Sequence, residues 1–298
     1  MNAWLKIALL SCLPLTTYAH TVSPYVLPEV FDTTASNVSF QSAMTVEKFF
    51  VPTSNFKTNY LITAPNGENT ALQPAAALKR FSIAETELKD AGTYRIRTQD
   101  AMGNPGKYAL VDGRWLRVRA AAMNNMQPRP AMPAAPASAA NTAPKPATPA
   151  IPRFVNEADL AKDAQIIEVR NHYIAEAYVT RAKPSAIPAV TNKGFEVKLI
   201  THPNEVYAGE GFKGQILNNG KPVANLEVDV FKGAGTYDLD AKRDASHVKT
   251  NAKGEFEIKF EQPGVYLITT AYPEASNDNT KKPSTDNYTY GLTLEVVQ

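Results

Sequence analysis

Apolar and polar residues alternate in short runs along most of the chain, and clusters of Gly, Pro, Asn and Asp separate the runs. A period of two marks a strand with one buried and one wet face. Phe256-Glu257-Ile258-Lys259-Phe260 shows it most cleanly. From residue 194 to the end the pattern predicts seven strands: Phe195–Ile200, Gly211–Leu217, Leu226–Phe231, His247–Thr250, Glu255–Phe260, Val265–Ala271 and Tyr288–Val297. Asn219-Gly220 predicts a hairpin, because both central residues of such a turn must tolerate positive φ. Asn251-Ala252-Lys253-Gly254 predicts a second tight turn.

The first half reads the same way. Asn37–Met44, Asn59–Thr63, Thr93–Thr98 and Trp115–Arg119 are predicted strands, with turns at Pro65-Asn66-Gly67 and Gly103-Asn104-Pro105-Gly106. In Asp90-Ala91-Gly92-Thr93-Tyr94 the spacing of Gly and Tyr matches the tyrosine corner of Greek-key sandwiches, where a Tyr near a strand start bonds upstream backbone. Pro263-Gly264-Val265-Tyr266 repeats it 172 residues later. Two corners predict an all-β chain of two tandem immunoglobulin-like or transthyretin-like β-sandwich domains.

From Ala120 to Pro152, 33 residues hold 12 Ala and 8 Pro, and only Arg129 and Lys145 carry charge. Proline removes donors and the small side chains offer nothing to pack, so a disordered Ala/Pro-rich insert is expected. After it, a short helix is predicted over 156–162 with Asn156 as N-cap. A strand follows over 165–180, and Pro184 to Pro188 reads as a linker. The expected first domain is 20–119 plus 153–190, and the second is 194–298.

The first residues have another purpose. Met1 to Lys6 gives a positive start, Ile7 to Leu15 an apolar run, and Thr17-Tyr18-Ala19 small residues at cleavage positions. This predicts a signal peptide at 1–19, a mature chain of 279 residues (298 minus 19) beginning at His20, and a periplasmic protein. A lipoprotein anchored through Cys12 would have only Ile7 to Leu10 as its apolar core, which is too short. Cys12 is the only cysteine, so the mature chain has no thiol, and thiolate catalysis, disulfides and Cys-ligated zinc are excluded. The net charge of +2 argues against nucleic-acid binding. No later stretch is apolar for the 18 or so residues that span a bilayer.

Local enzyme motifs are missing: no hydrolase elbow, phosphate loop, dinucleotide fingerprint or His-Glu-x-x-His run occurs. A non-enzymatic chain is expected. Of the four histidines, His20 is the candidate metal ligand. At a mature N-terminus its α-amine and ring Nδ1 can chelate one ion, with pKa values near 7.7–8.0 and 6.5 that are easily displaced at neutral pH. Such nitrogens suit Ni, Co, Cu or Zn. His172 shares strand parity with Glu168, Arg170 and Glu176 and reads as part of a solvated face. His202 reads as a surface-loop residue. His247 lies behind Asp238, Asp240 and Asp244, which lack the Gly and Glu of a Ca²⁺ loop and read as a polar turn. Met123, Met126 and Met132 offer soft ligands inside the insert, but linker drift explains them as well.

The start His20-Thr21-Val22-Ser23-Pro24-Tyr25-Val26-Leu27-Pro28 resembles the opening of the NikM-like family of periplasmic proteins. Glu47-Lys48-Phe49-Phe50-Val51-Pro52, the run from Phe195 through Gly209-Glu210, Asn219-Gly220-Lys221-Pro222-Val223 and Gly264-Val265-Tyr266 resemble it too. Much of that family is labelled a domain of unknown function, and some members are implicated in nickel or cobalt uptake. The resemblance implies an exported accessory protein that binds or delivers a transition-metal ion (Ni, Co or Cu), with His20 as ligand. Its implied partners are the metal ion and an inner-membrane transporter or outer-membrane receptor. The alternative is an envelope interaction or scaffold module that binds a protein or glycan without metal.

Overall fold

The computed structural model describes residues 22–46, 51–99, 102–103, 105–119, 153–233, 245–276 and 278–298. His20, the leader, the insert with its three methionines, Glu47–Phe50, and Asp238, Asp240 and Asp244 lie outside the described residues. The chain is all-β. The first half holds β1 (Ser23–Pro28), β2 (Asp32–Thr33), β3 (Asn37–Thr45), β4 (Asn59–Thr63), β5 (Asn69–Leu72), β6 (Ala76–Ala77), β7 (Ser82–Glu87), β8 (Gly92–Gln99), β9 (Gly106–Val111) and β10 (Arg114–Arg119). Then come β11 (Phe154–Asn156) and the 16-residue β12 (Ile166–Arg181). The remainder is β13 (Phe195–Leu199), β14 (Gly211–Asn218), β15 (Lys221–Pro222), β16 (Glu227–Lys232), β17 (Ala245–Lys249), β18 (Glu255–Lys259), β19 (Gly264–Tyr272) and β20 (Asp286–Val296).

Two sandwiches arise from these strands. In the first, the sheet β1-β3-β7-β6 faces β4, β8 and β12. Val26, Val38, Phe40, Tyr60, Ile62, Leu88, Tyr94 and Ile96 fill the space between them. In the second, β13, β14, β15 and β18 face β12, β20, β19, β16 and β17 over a core that includes Phe195, Phe212, Phe256, Phe260 and Leu292. β12 pairs antiparallel with β9 and β8 and, over Arg170–Ala177, parallel with β20. Its side chains alternate between the cores: Ala175, Ala177 and Val179 enter the first, Ile174 and Tyr178 the second.

Both predicted tyrosine corners are present. The Tyr94 hydroxyl donates to the Asp90 carbonyl at 3.0 Å and accepts from the Asp90 N–H at 2.7 Å. The Tyr266 hydroxyl donates to the Gln262 carbonyl at 2.8 Å. The glycines two residues earlier, Gly92 and Gly264, have φ of 140° and 142°. The Asn219-Gly220 hairpin has positive φ at both residues, as its sequence demands.

Three expectations need correction. The helix predicted over 156–162 is a single 3₁₀ turn, Glu157–Asp159. Asn156 donates its side-chain amide to Asp159 rather than capping backbone, and the turn buries no residue to offset helix nucleation. The stretch Pro184 to Pro188 has no strand, yet Ser185 bonds Thr93 and Ile187 packs on the second core, so it is pinned. β1, β5, β7 and β9, and the two- or three-residue β2, β6, β11 and β15, appear in no predicted strand. β1 runs Tyr25-Val26-Leu27 between Pro24 and Pro28, and β7 turns the small Ser82 and Ala84 inward, so neither shows apolar residues at a period of two.

β1 is nonetheless deeply held. Ser23, Tyr25 and Val26 are fully buried, and β1 pairs with β3 from Ser23↔Thr45 to Pro28↔Phe40. It also crosses β20, where a Cβ on Gly291 would stand 1.9 Å from the Pro24 carbonyl oxygen. Only glycine permits that approach. Gly291→Ala is therefore expected to destabilise the fold by about 1–3 kcal/mol or more, read as a lower urea midpoint at unchanged slope.

Candidate functional site

β8 presents two chemically distinct faces. Tyr94 and Ile96 enter the first core, while Thr93, Arg95, Arg97 and Gln99 face the second sandwich. At the end near the linker, this boundary is held by neutral polar groups. The Thr93 Oγ1 lies 2.9 Å from His202 Nε2 and 3.1 Å from Thr180 Oγ1. Thr180 donates to Asn204 Oδ1, whose amide nitrogen donates to the carbonyls of Phe31 and Tyr178. His202 Nδ1 accepts the Asn204 N–H at 3.3 Å, which leaves the ring proton on Nε2, facing Thr93. Burial lowers the His202 pKa, against the raising fields of Glu205 and the Ser185 backbone.

Further along lies a buried charge cluster. Glu176, 1% exposed, ion-pairs with Arg97 and accepts the Tyr290 hydroxyl at 2.6 Å. Arg97 also donates to the Phe195 carbonyl at 3.2 Å. Burial alone would raise the Glu176 pKa. The fields of Arg97 and Arg95, with the hydrogen bonds from Tyr290 and Arg97, outweigh it and hold the carboxyl below its ordinary value. Burial likewise pushes the Tyr290 hydroxyl well up, so it stays a donor. Arg95 is 4% exposed and donates to Thr63 Oγ1 at 3.3 Å, while its Nε has no partner among the described residues.

The cluster opens into a cleft of about 410 Å³ between the sandwiches. Arg95, Arg97, Gln99 and Leu61 line one side; Lys193, Gly194, Phe195 and Glu196 line the other. Thr98, His172, Tyr173, Ile174, Thr191 and Tyr288 complete the lining. Glu196 is committed to its own turn, accepting the Thr191 and Lys193 N–H groups and the Thr191 hydroxyl. Tyr288 is stacked between His172 and Phe195, with ring centroids at 4.8 and 5.6 Å. His172 Nε2 lies 2.9 Å from Asp286, which also binds Arg170.

These positions revise the histidine readings. His202 is no surface-loop residue; its side chain is 12% exposed and bonded across the boundary. His172 is paired and stacked rather than solvated, and Glu176, taken as part of the same wet face, is buried. His247 is exposed on β17. The candidate ligand His20 lies outside the described residues, and no group of three His, Cys, Asp or Glu able to hold a metal occurs among them. Sequence reasoning missed Arg95 and Arg97. Their period-two spacing with Tyr94 and Ile96 was the signal available, a strand with one apolar and one cationic face.

A profile of the family described as a domain of unknown function (DUF4198) matches residues 17–274. The chain belongs to the DUF4198 family. No curated protein matches the DUF4198 chain. Among solved structures, the D0-D1 domain of Intimin aligns with it at 10% identity and a TM-score of 0.22, covering 93% of this chain and 99% of that one. A putative membrane anchored protein from Corynebacterium diphtheriae aligns at 9% identity and a TM-score of 0.22, covering 93% and 59%. The three N-terminal domains of the bacteriophage RB49 outer capsid protein Hoc align at 10% and 0.19, covering 94% and 59%. Scores this low leave the fold to be read from the strands of the DUF4198 chain itself. Among its described residues no helix is long and apolar enough to cross a membrane.

Two outcomes follow from the boundary chemistry. Glu176→Gln removes the ion-pair partner of Arg97 and should cost about 3–5 kcal/mol, whereas Asp286→Asn, on a half-exposed pair, should cost within about 1 kcal/mol; denaturant titration separates them. His202 binds a proton less readily folded than unfolded, so its contribution is complete above about pH 6.5 and is lost as pH falls from there toward the lowered folded value. Melting curves between pH 7.5 and 5.5 should show the drop, reduced in His202→Gln; identical slopes in both proteins would contradict it.

Proposed function

We propose that this chain is an exported, non-enzymatic accessory protein of the periplasm that binds or hands over a transition-metal ion of the nickel or cobalt type through His20, the role that its resemblance to the NikM-like family implies. The observation that carries the reading is the anchoring of β1. Cleavage after Ala19 would leave only His20, Thr21 and Val22 ahead of Ser23, which is fully buried and paired with Thr45. Val22 is 39% exposed, so the chain meets solvent immediately before the fixed strand. A terminus cut at that point would lie three residues from a rigid strand, a short tether that would lower the entropic cost of closing its amine and imidazole on an ion. The metal here is cargo, and its donors are the nitrogens that a borderline divalent ion prefers.

A second reading, an envelope module that binds a protein or glycan partner without metal, is favoured by the half-buried rings of Tyr173 and Tyr288 along the cleft between the sandwiches. Calorimetry with Ni²⁺, Co²⁺ and Cu²⁺ decides between them. The metal reading expects one ion per mature chain, with affinity falling at least tenfold in His20→Ala and when one residue is added ahead of His20. Equal binding by the extended protein would reject it.

A further inference from the structure

We infer that the cleft between the two sandwiches is a binding site for a small organic carboxylate. This site is independent of His20 and of any metal, and it rests on the charges in the walls. Arg95, Arg97 and Lys193 bring three positive groups to the cleft. Glu176 is consumed by Arg97 and Tyr290, and Glu196 is held by the N–H groups and hydroxyl of its own turn, so neither is free to take up Arg95. Two cations are left without an ion pair, and the buried one is Arg95, bonded to Thr63 and to the Tyr178 hydroxyl, reached by Glu176 only through its longer-range field and with an orphaned Nε among the described residues. A buried guanidinium with no carboxylate in direct contact is costly. The acceptor that fits its planar fork is a carboxylate.

The remainder of the site suits a carboxylate on a carbon skeleton. The cleft lies where two sandwiches meet, and its volume of about 410 Å³ is within the range of small-molecule sites. Leu61, Ile174 and the Tyr173 ring provide apolar wall, and Lys193, exposed at the rim, adds long-range attraction for an anion. The aromatic stack Tyr272, Phe195, Tyr288, His172 stiffens one side, since Tyr288 has both faces occupied. The strands β8 and β12 hold the cationic side, so the site is built on sheet rather than on loop.

Titration of the metal-stripped protein with succinate, against its neutral isostere succinamide, tests the assignment by calorimetry and by melting temperature. Succinate should release heat and raise Tm, and succinamide should do neither. Lys193→Glu should weaken succinate about tenfold. Arg95→Gln should abolish the response while leaving the ligand-free Tm equal or higher, because Glu176 and Arg97 then remain as a neutral pair. An arginine that served the fold alone would give a lower Tm and an unchanged succinate response. No succinate response in the wild type, an equal response to succinamide, or a response untouched by Lys193→Glu overturns the proposal.

Discussion

The structure depends on one strand serving two cores. Successive residues of β12 point to opposite faces, so Ile174 and Tyr178 are buried in the second sandwich and Ala175, Ala177 and Val179 in the first. The residues are sorted by size. Small side chains face the first core with Val26, Val38 and Phe40 of β1 and β3, and the larger Ile174 and Tyr178 face the second with Phe195, Val197 and Leu199 of β13. Moving β12 by one residue would exchange the two sets and place Glu176 in an apolar core. The register is therefore fixed from both sides.

That constraint explains why ionised groups occur at the boundary between sandwiches. A strand with apolar residues on both faces would also suit aggregation, and Glu176 on the second face supplies specificity instead. Its charge is tolerable only because Arg97 and Tyr290 meet it, and those partners arrive from β8 and β20, elements 79 and 114 residues distant in sequence. The same boundary carries the Thr93, Thr180, His202 and Asn204 network at its other end. The polar contacts thus set the relative placement of the sandwiches, and the cleft that holds the leftover cation is a by-product of that arrangement.

Much of the fold could be read from local pattern. Alternation located β4 to the residue and β3, β8, β10, β12 and the strands after residue 194 other than β15 to within one or two, and the Gly-x-Tyr spacing located both corners. β5 and β9 escaped although they pair with their neighbours β4 and β10, and the rest of what escaped depended on distant partners. β1 looks like a proline-punctuated loop until β3 and Gly291 are placed beside it. Positions 168, 170, 172, 174, 176 and 178 share a face of β12, yet the face passes from solvent to core midway, where β13 covers it. Parity alone grouped Glu176 with its exposed neighbours, and no local signal marks where the cover begins. The cleft was invisible for the same reason, because Arg95 and Lys193 meet only through the shared strand. His20 was legible as chemistry, from its predicted place at a mature terminus, rather than as geometry.

If β12 belongs to both cores, neither sandwich can unfold while the other stays intact. Differential scanning calorimetry of the full chain tests this directly. The shared strand predicts one transition whose calorimetric and van't Hoff enthalpies agree. Two resolved transitions, or a calorimetric enthalpy about twice the van't Hoff value, would show that the sandwiches melt separately and that β12 does not couple them.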